Sequence, residues 1–138
     1  MKVLYTAEAR STGDGRNGKV ATSDGAFEAE LAMPPEMGGT GGGTNPEQLF
    51  AAGYAACFHS ALRRVARQAK ADVTGSEVTG RVGIGPNDAG GFGLTVELIV
   101  ALPGVEHELA SRLVEQAHQV CPYSNATRGN IEVTLTVR

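Results

Sequence analysis

Apolar and polar residues alternate along the first third of the chain, the period of two that is typical of strands with one buried face. Turn residues at Gly13-Asp14-Gly15 and Asp24-Gly25 interrupt this alternation. The pattern predicts three strands, over Lys2 to Ala9, Lys19 to Ser23 and Phe27 to Met33. Strands joined by such short turns favour an antiparallel sheet.

A long helix is predicted after a Gly- and Pro-rich loop at residues 34–43. Thr44 or Asn45 can cap the helix, Pro46 suits its first position, and Glu47 complements the positive end of the helix dipole. The helical pattern continues to about Lys70, which gives a length of about 37 Å. Its small residues predict that another backbone packs closely against it; they are Ala51, Ala52, Gly53, Ala55 and Ala56.

The second half of the chain predicts a hairpin, a helix and a closing strand. The hairpin strands cover Glu77 to Ile84 and Leu94 to Leu102, around a turn at residues 85–91. An apolar stripe marks the helix, which Cys121-Pro122 ends, and the closing strand covers Ile131 to Val137. We therefore predict an α+β fold with antiparallel sheets and a long central helix that carries Cys57.

Composition and charge narrow the choice of function. A chain of 138 residues is expected to form one domain, residues 1–138. The net charge of −3, without long runs of one sign, predicts no nucleic-acid or membrane partner. The first eight residues lack the apolar core of a secretory signal, so a cytoplasmic location is expected. The apolar run from Leu49 to Phe58 is about half the ~20 residues that a membrane span needs.

The two cysteines lie in unlike settings. Cys57 is inside the apolar part of the long helix, whereas Cys121 lies where another helix ends. A buried thiol, here Cys57, and a second thiol at a mobile helix end suit a redox cycle in which one sulfur reacts with an oxidant and the other closes a disulfide. The alternative is structural, because free cysteines are often buried as small apolar residues.

Three other kinds of chemistry are disfavoured. The glycine loop lacks the lysine of a phosphate-binding loop. Cys57-x-His59 and His118-x-x-Cys121 together offer four zinc ligands. Zinc binding is disfavoured because Cys57 and His59, two residues apart on a helix, point in nearly opposite directions. His59 and His118 are therefore expected to be ordinary surface histidines. Nothing orients a histidine toward Cys57 for nucleophilic hydrolysis.

A reactive thiolate needs a nearby cation, because burial raises the pKa of a thiol. Arg64 shares a helix face with Cys57 but lies about 10 Å along the axis. Arg10 and Arg16 belong to the strand region, and a turn at residues 15–18 can present Arg16. These residues alone do not choose among the three arginines.

Three segments together are similar to one known family. They are Leu4-Tyr5-Thr6-Ala7 with Gly15-Arg16-Asn17-Gly18, the run from Thr44 to Phe58, and the run from Cys121 to Asn130. They resemble the organic hydroperoxide resistance (Ohr) family of the Ohr/OsmC superfamily of thiol peroxidases. The resemblance spans essentially the whole chain.

The resemblance implies a role for each of four residues. Cys57 matches the peroxidatic cysteine, Cys121 the resolving cysteine, Arg16 the arginine that stabilises the thiolate, and Glu47 the carboxylate that holds this arginine. It further implies an intertwined homodimer with sites at the subunit interface and no metal or bound cofactor. The expected substrates are organic hydroperoxides, including those of fatty acids, and the expected reductant is a lipoyl dithiol or lipoylated protein. The alternative is a non-catalytic redox-sensing or ligand-binding dimer that uses the same cysteine pair.

Overall fold

The computed structural model describes residues 1–138, which form two units. The first unit, Met1–Leu49, is built on a three-stranded antiparallel sheet. Its strands are β1 (Ala9–Thr12), β2 (Lys19–Thr22) and β3 (Glu28–Glu30), in that order across the sheet. The turn between β1 and β2 contains one 3₁₀ turn at Gly15–Asn17. Gly18 follows it, and a Cβ there would lie 2.1 Å from the Thr12 carbonyl oxygen, so only glycine fits.

The first predicted strand is displaced along the chain. The strand covers Ala9–Thr12 instead of Lys2 to Ala9, since β2 pairs with Ala9 through Thr12 and the preceding residues have no partner strand. Leu4 and Tyr5 are 91% and 78% exposed. The alternation of apolar and polar residues alone therefore predicted a strand in a segment that does not pair with another strand of this chain.

The glycine-rich loop returns to the sheet. The backbone amide of Ala32 donates to the Thr44 carbonyl at 3.0 Å, and the Thr44 amide donates to the Glu30 carbonyl at 3.1 Å. The Asn17 side-chain oxygen accepts from the Met33 amide at 3.1 Å, which ties the β1–β2 turn to this loop. The loop thus ends at a fixed position, directly before the long helix.

Helix α1 (Pro46–Gln68) is continuous and begins as predicted. The Asn45 side-chain oxygen accepts from the Gln48 amide at 2.9 Å, which is an N-cap bond. Beyond the helix, Lys70 adopts a left-handed conformation with φ of 56°, a common way to end a helix. The structure shortens the predicted helix by two residues.

The second unit (Phe50–Arg138) packs most of α1 with a second sheet and two further helices. The sheet contains β4 (Glu77–Pro86), β5 (Phe92–Ala101) and β6 (Val133–Val137), with β5 in the centre. Helix α2 (His107–Val120) and helix α3 (Pro122–Thr127) lie between β5 and β6 in the chain. Alternate residues of β5 enter the core with the buried faces of α1 and α2; the largest of these buried side chains are Tyr54, Phe58, Leu62, Leu98 and Leu113.

The α+β class and the long helix carrying Cys57 are confirmed. Two details of the second unit differ from the prediction. Strand β6 pairs in parallel with β5, so this sheet is mixed. The sequence analysis also missed α3, which starts at Pro122 immediately after α2 ends. None of the helices combines the length and apolar character that crossing a bilayer requires.

Candidate active site

The two thiols lie next to each other in the second unit. Cys57 is partly exposed on α1, and Cys121, which is fully buried, is the single residue between α2 and α3. The expectation that Cys57 is the buried thiol is wrong, because the side chains of the core cover Cys121 more completely than Cys57. Their sulfur atoms are 3.6 Å apart although 64 positions separate the residues in the chain. A disulfide needs about 2.05 Å, so a small movement of either side chain joins them.

The surroundings of Cys57 favour the protonated thiol. Burial raises the pKa of Cys57 above its usual 9.0, and the neighbouring Cys121 raises it further. A hydrogen bond from the Tyr123 backbone amide to the sulfur acts in the opposite direction. Because the pKa is raised, a nearby cation would favour the thiolate that a nucleophilic attack requires.

Arg16 and Glu47 form a bidentate ion pair in the first unit. The Arg16 guanidinium donates from Nη1 to Glu47 Oε2 at 2.9 Å and from Nη2 to Glu47 Oε1 at 2.7 Å. These hydrogen bonds hold the pKa of Glu47 below its usual range and raise that of Arg16. The pairing of Arg16 with Glu47 that the resemblance implied is therefore present, with Glu47 only 13% exposed.

Glu47 and Cys57 both lie on α1 but far apart along it. Cys57 follows Glu47 by ten residues of continuous helix, which corresponds to a rise of about 15 Å and a rotation that leaves them about 80° apart around the axis. The structure thus brings Arg16 to Glu47 and Cys121 to Cys57, as two separate pairs.

Aromatic rings lie beside the cysteine pair. Tyr123 packs 6.0 Å from Phe50 and 5.7 Å from Tyr54, measured between ring centroids. Gly53 provides the space, because a Cβ there would come within 3.2 Å of the Tyr123 hydroxyl. Sequence analysis did not select Tyr123, and the only signal for it was its position two residues after Cys121.

Three aromatic residues of α1 lie near Cys57 in the sequence, and only one of them can offer surface to a substrate. Tyr54 and Phe58 are fully buried and belong to the core, whereas Phe50 is partly exposed. The accessible apolar surface near Cys57 is therefore formed by Phe50 and Tyr123.

The two histidines named in the sequence analysis are half-buried instead of exposed. His59 Nε2 lies 2.9 Å from Ser76 Oγ, and His118 Nδ1 lies 2.8 Å from Ser124 Oγ. Burial and the charge of Arg128 lower the pKa of His118. Nowhere do three or more His, Cys, Asp or Glu side chains converge as a metal site would require.

Comparisons with known proteins give a consistent result. The sequence matches the OsmC-like protein family over residues 39–136. It is 58% identical to the organic hydroperoxide resistance protein of Xanthomonas axonopodis pv. citri over 138 residues, which cover 99% of this chain and 96% of the relative.

Solved structures agree with the sequence matches. The fold superimposes on an organic hydroperoxide resistance protein from Elizabethkingia anophelis with a TM-score of 0.94 at 56% identity, covering 99% of this chain and 98% of the other. It superimposes on OhrB of Bacillus subtilis with a TM-score of 0.89 at 43% identity, covering 99% of this chain and 100% of the other.

Proposed function

Because the chain belongs to the OsmC-like family, among the organic hydroperoxide resistance proteins, we propose that it is an enzyme that reduces organic hydroperoxides to alcohols. Fatty-acid hydroperoxides are included among the proposed substrates. The observation that carries the proposal is the 3.6 Å approach of two free thiols, Cys57 and Cys121. Oxidation of such a pair to a disulfide supplies the two electrons that reduction of one hydroperoxide consumes.

In the first step the Cys57 thiolate attacks the distal oxygen of the hydroperoxide. The O–O bond breaks, Cys57 becomes a sulfenic acid, and the alkoxide takes up a proton and leaves as an alcohol. In the homodimer that we propose below, Arg16 of one subunit serves this step twice at Cys57 of the other subunit, because its charge favours the thiolate and then the negative charge on the leaving oxygen. Glu47 holds the guanidinium plane through two hydrogen bonds.

In the second step the Cys121 sulfur attacks the Cys57 sulfenic acid. The Cys57–Cys121 disulfide forms, and the hydroxyl of the sulfenic acid leaves with the Cys121 proton as water. A dithiol then reduces the disulfide by exchange. We propose dihydrolipoamide or a lipoylated protein as this external reductant, with no metal or bound cofactor. Such a cycle suits a reducing compartment, and on that basis we place the protein in the cytoplasm.

Preference for organic hydroperoxides follows from the apolar surface at Phe50 and Tyr123. An alkyl chain gains by removing such surface from water, whereas hydrogen peroxide has no apolar part to bury. We expect higher second-order rates with tert-butyl and fatty-acid hydroperoxides than with hydrogen peroxide. Equal rates would instead indicate the looser substrate choice of the OsmC branch.

We also propose that the protein works as a homodimer. Exposed apolar residues near the start of the chain, Val3, Leu4 and Tyr5, support a pairing surface. Ala52, Ala56 and Ser60 share an exposed face of α1 and let a second helix approach closely. Ala51 and Gly53, by contrast, are covered within the chain, because Gly80 packs on the Ala51 backbone and Tyr123 packs on Gly53.

One titration tests the proposed reaction. The reduced protein is mixed with cumene hydroperoxide without oxygen, and free thiols are counted with and without dihydrolipoamide. We expect two thiols to be lost per hydroperoxide, and repeated turnover when the dithiol is present. A protein that is oxidised once and does not turn over with any dithiol would be the redox sensor instead.

A further inference from the structure

Four polar side chains form a connected hydrogen-bond network beneath the junction of α2 and α3. His118 Nδ1 lies 2.8 Å from Ser124 Oγ, and the Tyr54 hydroxyl lies 3.0 Å from both Ser124 Oγ and Thr127 Oγ1. Tyr54 and Ser124 are fully buried, and Thr127 is 4% exposed. We call these residues, His118, Ser124, Tyr54 and Thr127, the corner network.

The corner network surrounds the backbone position of Cys121. His118 precedes Cys121 by three residues on α2, and Ser124 follows it by three on α3. Cys121 itself is extended, with φ of −64° and ψ of 125°, so the helical hydrogen-bond ladder is interrupted there. The hydrogen bond between the His118 and Ser124 side chains therefore spans the point where the helical hydrogen bonds of the backbone are interrupted.

The network also fastens this corner to the helix that carries the other cysteine. Tyr54 lies three residues before Cys57 on α1, and residues three apart are neighbours on a helix surface. Its hydroxyl bonds both Ser124 and Thr127, one turn apart on α3. The link thus joins the segment of Cys121 to the helix turn of Cys57.

Arg128 reinforces the same corner from its exposed side. Its guanidinium donates to the His118 carbonyl oxygen and, at 2.7 Å, to Asn125 Oδ1. The backbone amide of Asn125 donates to the Cys121 carbonyl oxygen at 2.9 Å. The backbone on both sides of Cys121 is therefore held by side chains as well as by helix bonds.

A network of this kind restricts geometry in a way that apolar packing does not. Buried hydroxyls lower stability unless they are hydrogen-bonded, and hydrogen bonds fix direction as well as distance. Every buried side-chain polar atom here has a partner. A phenylalanine and an alanine would fill much of the same space without fixing the position of α3.

We propose that the corner network positions Cys121 for disulfide closure and contributes little to the first reaction of Cys57. The proposal rests on the proposed function for its biological meaning, but closure itself does not need a peroxide. The Cys121 sulfur attacks whichever sulfur-bound leaving group Cys57 carries, and the rate depends on how often the two sulfurs adopt the attacking geometry. Loss of the network lowers that frequency, whereas none of its four side chains is hydrogen-bonded to the Cys57 sulfur.

A disulfide probe separates the two steps. With 4,4′-dithiodipyridine, the Cys57 thiolate attacks the probe and releases one thiopyridone. The Cys121 sulfur then displaces the second thiopyridone from Cys57, loses its proton and closes the disulfide. Both releases are followed by absorbance in a rapid-mixing instrument, so one trace reports attack and closure.

The test variants are Tyr54→Phe, which keeps the ring, and Ser124→Ala. We expect the first release to stay within about twofold of the unmodified protein, and the second to slow by about tenfold, which corresponds to about 1.4 kcal/mol. With cumene hydroperoxide the same variants should accumulate sulfinic acid at Cys57 at lower peroxide concentration, because an unresolved sulfenic acid is open to further oxidation.

Ser76→Ala is the matched control. Ser76 is also a nearly buried serine, 9% exposed, and it bonds a half-buried histidine of α1, His59, at 2.9 Å. Its hydrogen bonds, to His59 and Val73, do not include the corner network, so the ratio of the two release rates should be unchanged even if stability falls.

The outcomes separate this proposal from the proposed function. A normal closure rate in Tyr54→Phe and Ser124→Ala would overturn the positioning role, as would equal slowing of both releases or the same slowing in Ser76→Ala. Slow closure with the probe in a protein that does not react with hydroperoxides would support the corner network and reject the peroxidase function. If Ser124→Ala does not fold, Tyr54→Phe alone decides the question.

Discussion

Cys57 and Cys121 carry the same functional group, but the structure gives them different access to solvent. Cys57 is partly exposed and accepts a hydrogen bond from the Tyr123 backbone amide, whereas Cys121 is fully buried at a helix junction. In the proposed mechanism, an oxidant reaches Cys57 first, and Cys121 reacts with the product. This difference is what the proposed division of labour requires.

Serine substitutions should separate the two roles. We expect Cys57→Ser to abolish hydroperoxide consumption, because the attacking sulfur is gone. Cys121→Ser should still consume one equivalent and stop as a sulfenic acid, which mass spectrometry after trapping with dimedone detects. Should Cys121→Ser consume hydroperoxide no faster than Cys57→Ser, the two roles are wrongly assigned.

Arg16 should act through geometry as well as charge. Lysine keeps the cation but cannot make two parallel bonds to Glu47, so we expect Arg16→Lys to raise the pKa of Cys57 and to lower the second-order rate by tenfold or more at neutral pH. Because the thiolate is the nucleophile, the rate rises with pH until the pKa of Cys57 is passed. The pH–rate profile of Arg16→Lys should therefore be shifted to higher pH than that of the unmodified protein.

The measurement is the rate of hydroperoxide consumption across pH, with thiolate absorbance recorded on the same samples. Arg10→Lys is the control, since Arg10 is exposed and lies in β1 outside the pair. If both variants have the pH–rate profile of the unmodified protein, Arg16 has no role in the reaction.

At the scale of elements, the position of α1 against the second sheet depends on one glycine. A Cβ at Gly80 of β4 would lie 2.7 Å from the Ala51 carbonyl oxygen of α1. Real Cβ atoms do not approach backbone oxygen so closely, so the helix and the strand would have to separate. Ala51 is six residues before Cys57, and such a shift moves the reactive helix.

Gly80→Ala should therefore lower the free energy of unfolding by about 1–3 kcal/mol. Gly85→Ala, in the same strand, is the control because a Cβ there meets nothing within 4 Å. Urea unfolding of both variants measures the difference. Equal stability of the two proteins would mean that α1 and β4 are free to adjust.

At the scale of the whole molecule, the separation of Glu47 and Cys57 along α1 is the central fact. One arginine bonded to Glu47 cannot also reach a sulfur about 15 Å further along the same helix. We therefore propose that the Arg16–Glu47 pair of one subunit serves the cysteines of the other, in an isologous dimer. The prediction of one domain over residues 1–138 stays a prediction.

Mixed dimers test this arrangement. Neither Cys57→Ser nor Glu47→Ala homodimers should turn over at an appreciable rate. After subunit exchange, each heterodimer should regain one of its two sites, so activity should rise toward half that of the unmodified protein per heterodimer. Activity that stays at the homodimer level, with heterodimers verified by native mass spectrometry, would show that each site is built from one chain.

The sequence by itself determined the features that depend on neighbouring residues. The start of α1 at Pro46, its cap by Asn45, the β4–β5 hairpin and the end of α2 at Cys121 all follow from caps, turns and periodicity within a few residues. The resemblance likewise selected Arg16, Glu47, Cys57 and Cys121, because their segments are specific in sequence.

Only the tertiary structure decided what depends on partners far along the chain. Strand pairing moved β1 to Ala9–Thr12 and set β6 parallel to β5, because a strand forms only where another strand supplies its hydrogen bonds. Tyr54 meets Ser124 and Thr127 across 70 and 73 positions, and Cys57 meets Cys121 across 64. No local pattern encodes such contacts, since they arise only when packing of the core brings α1 against the α2–α3 junction.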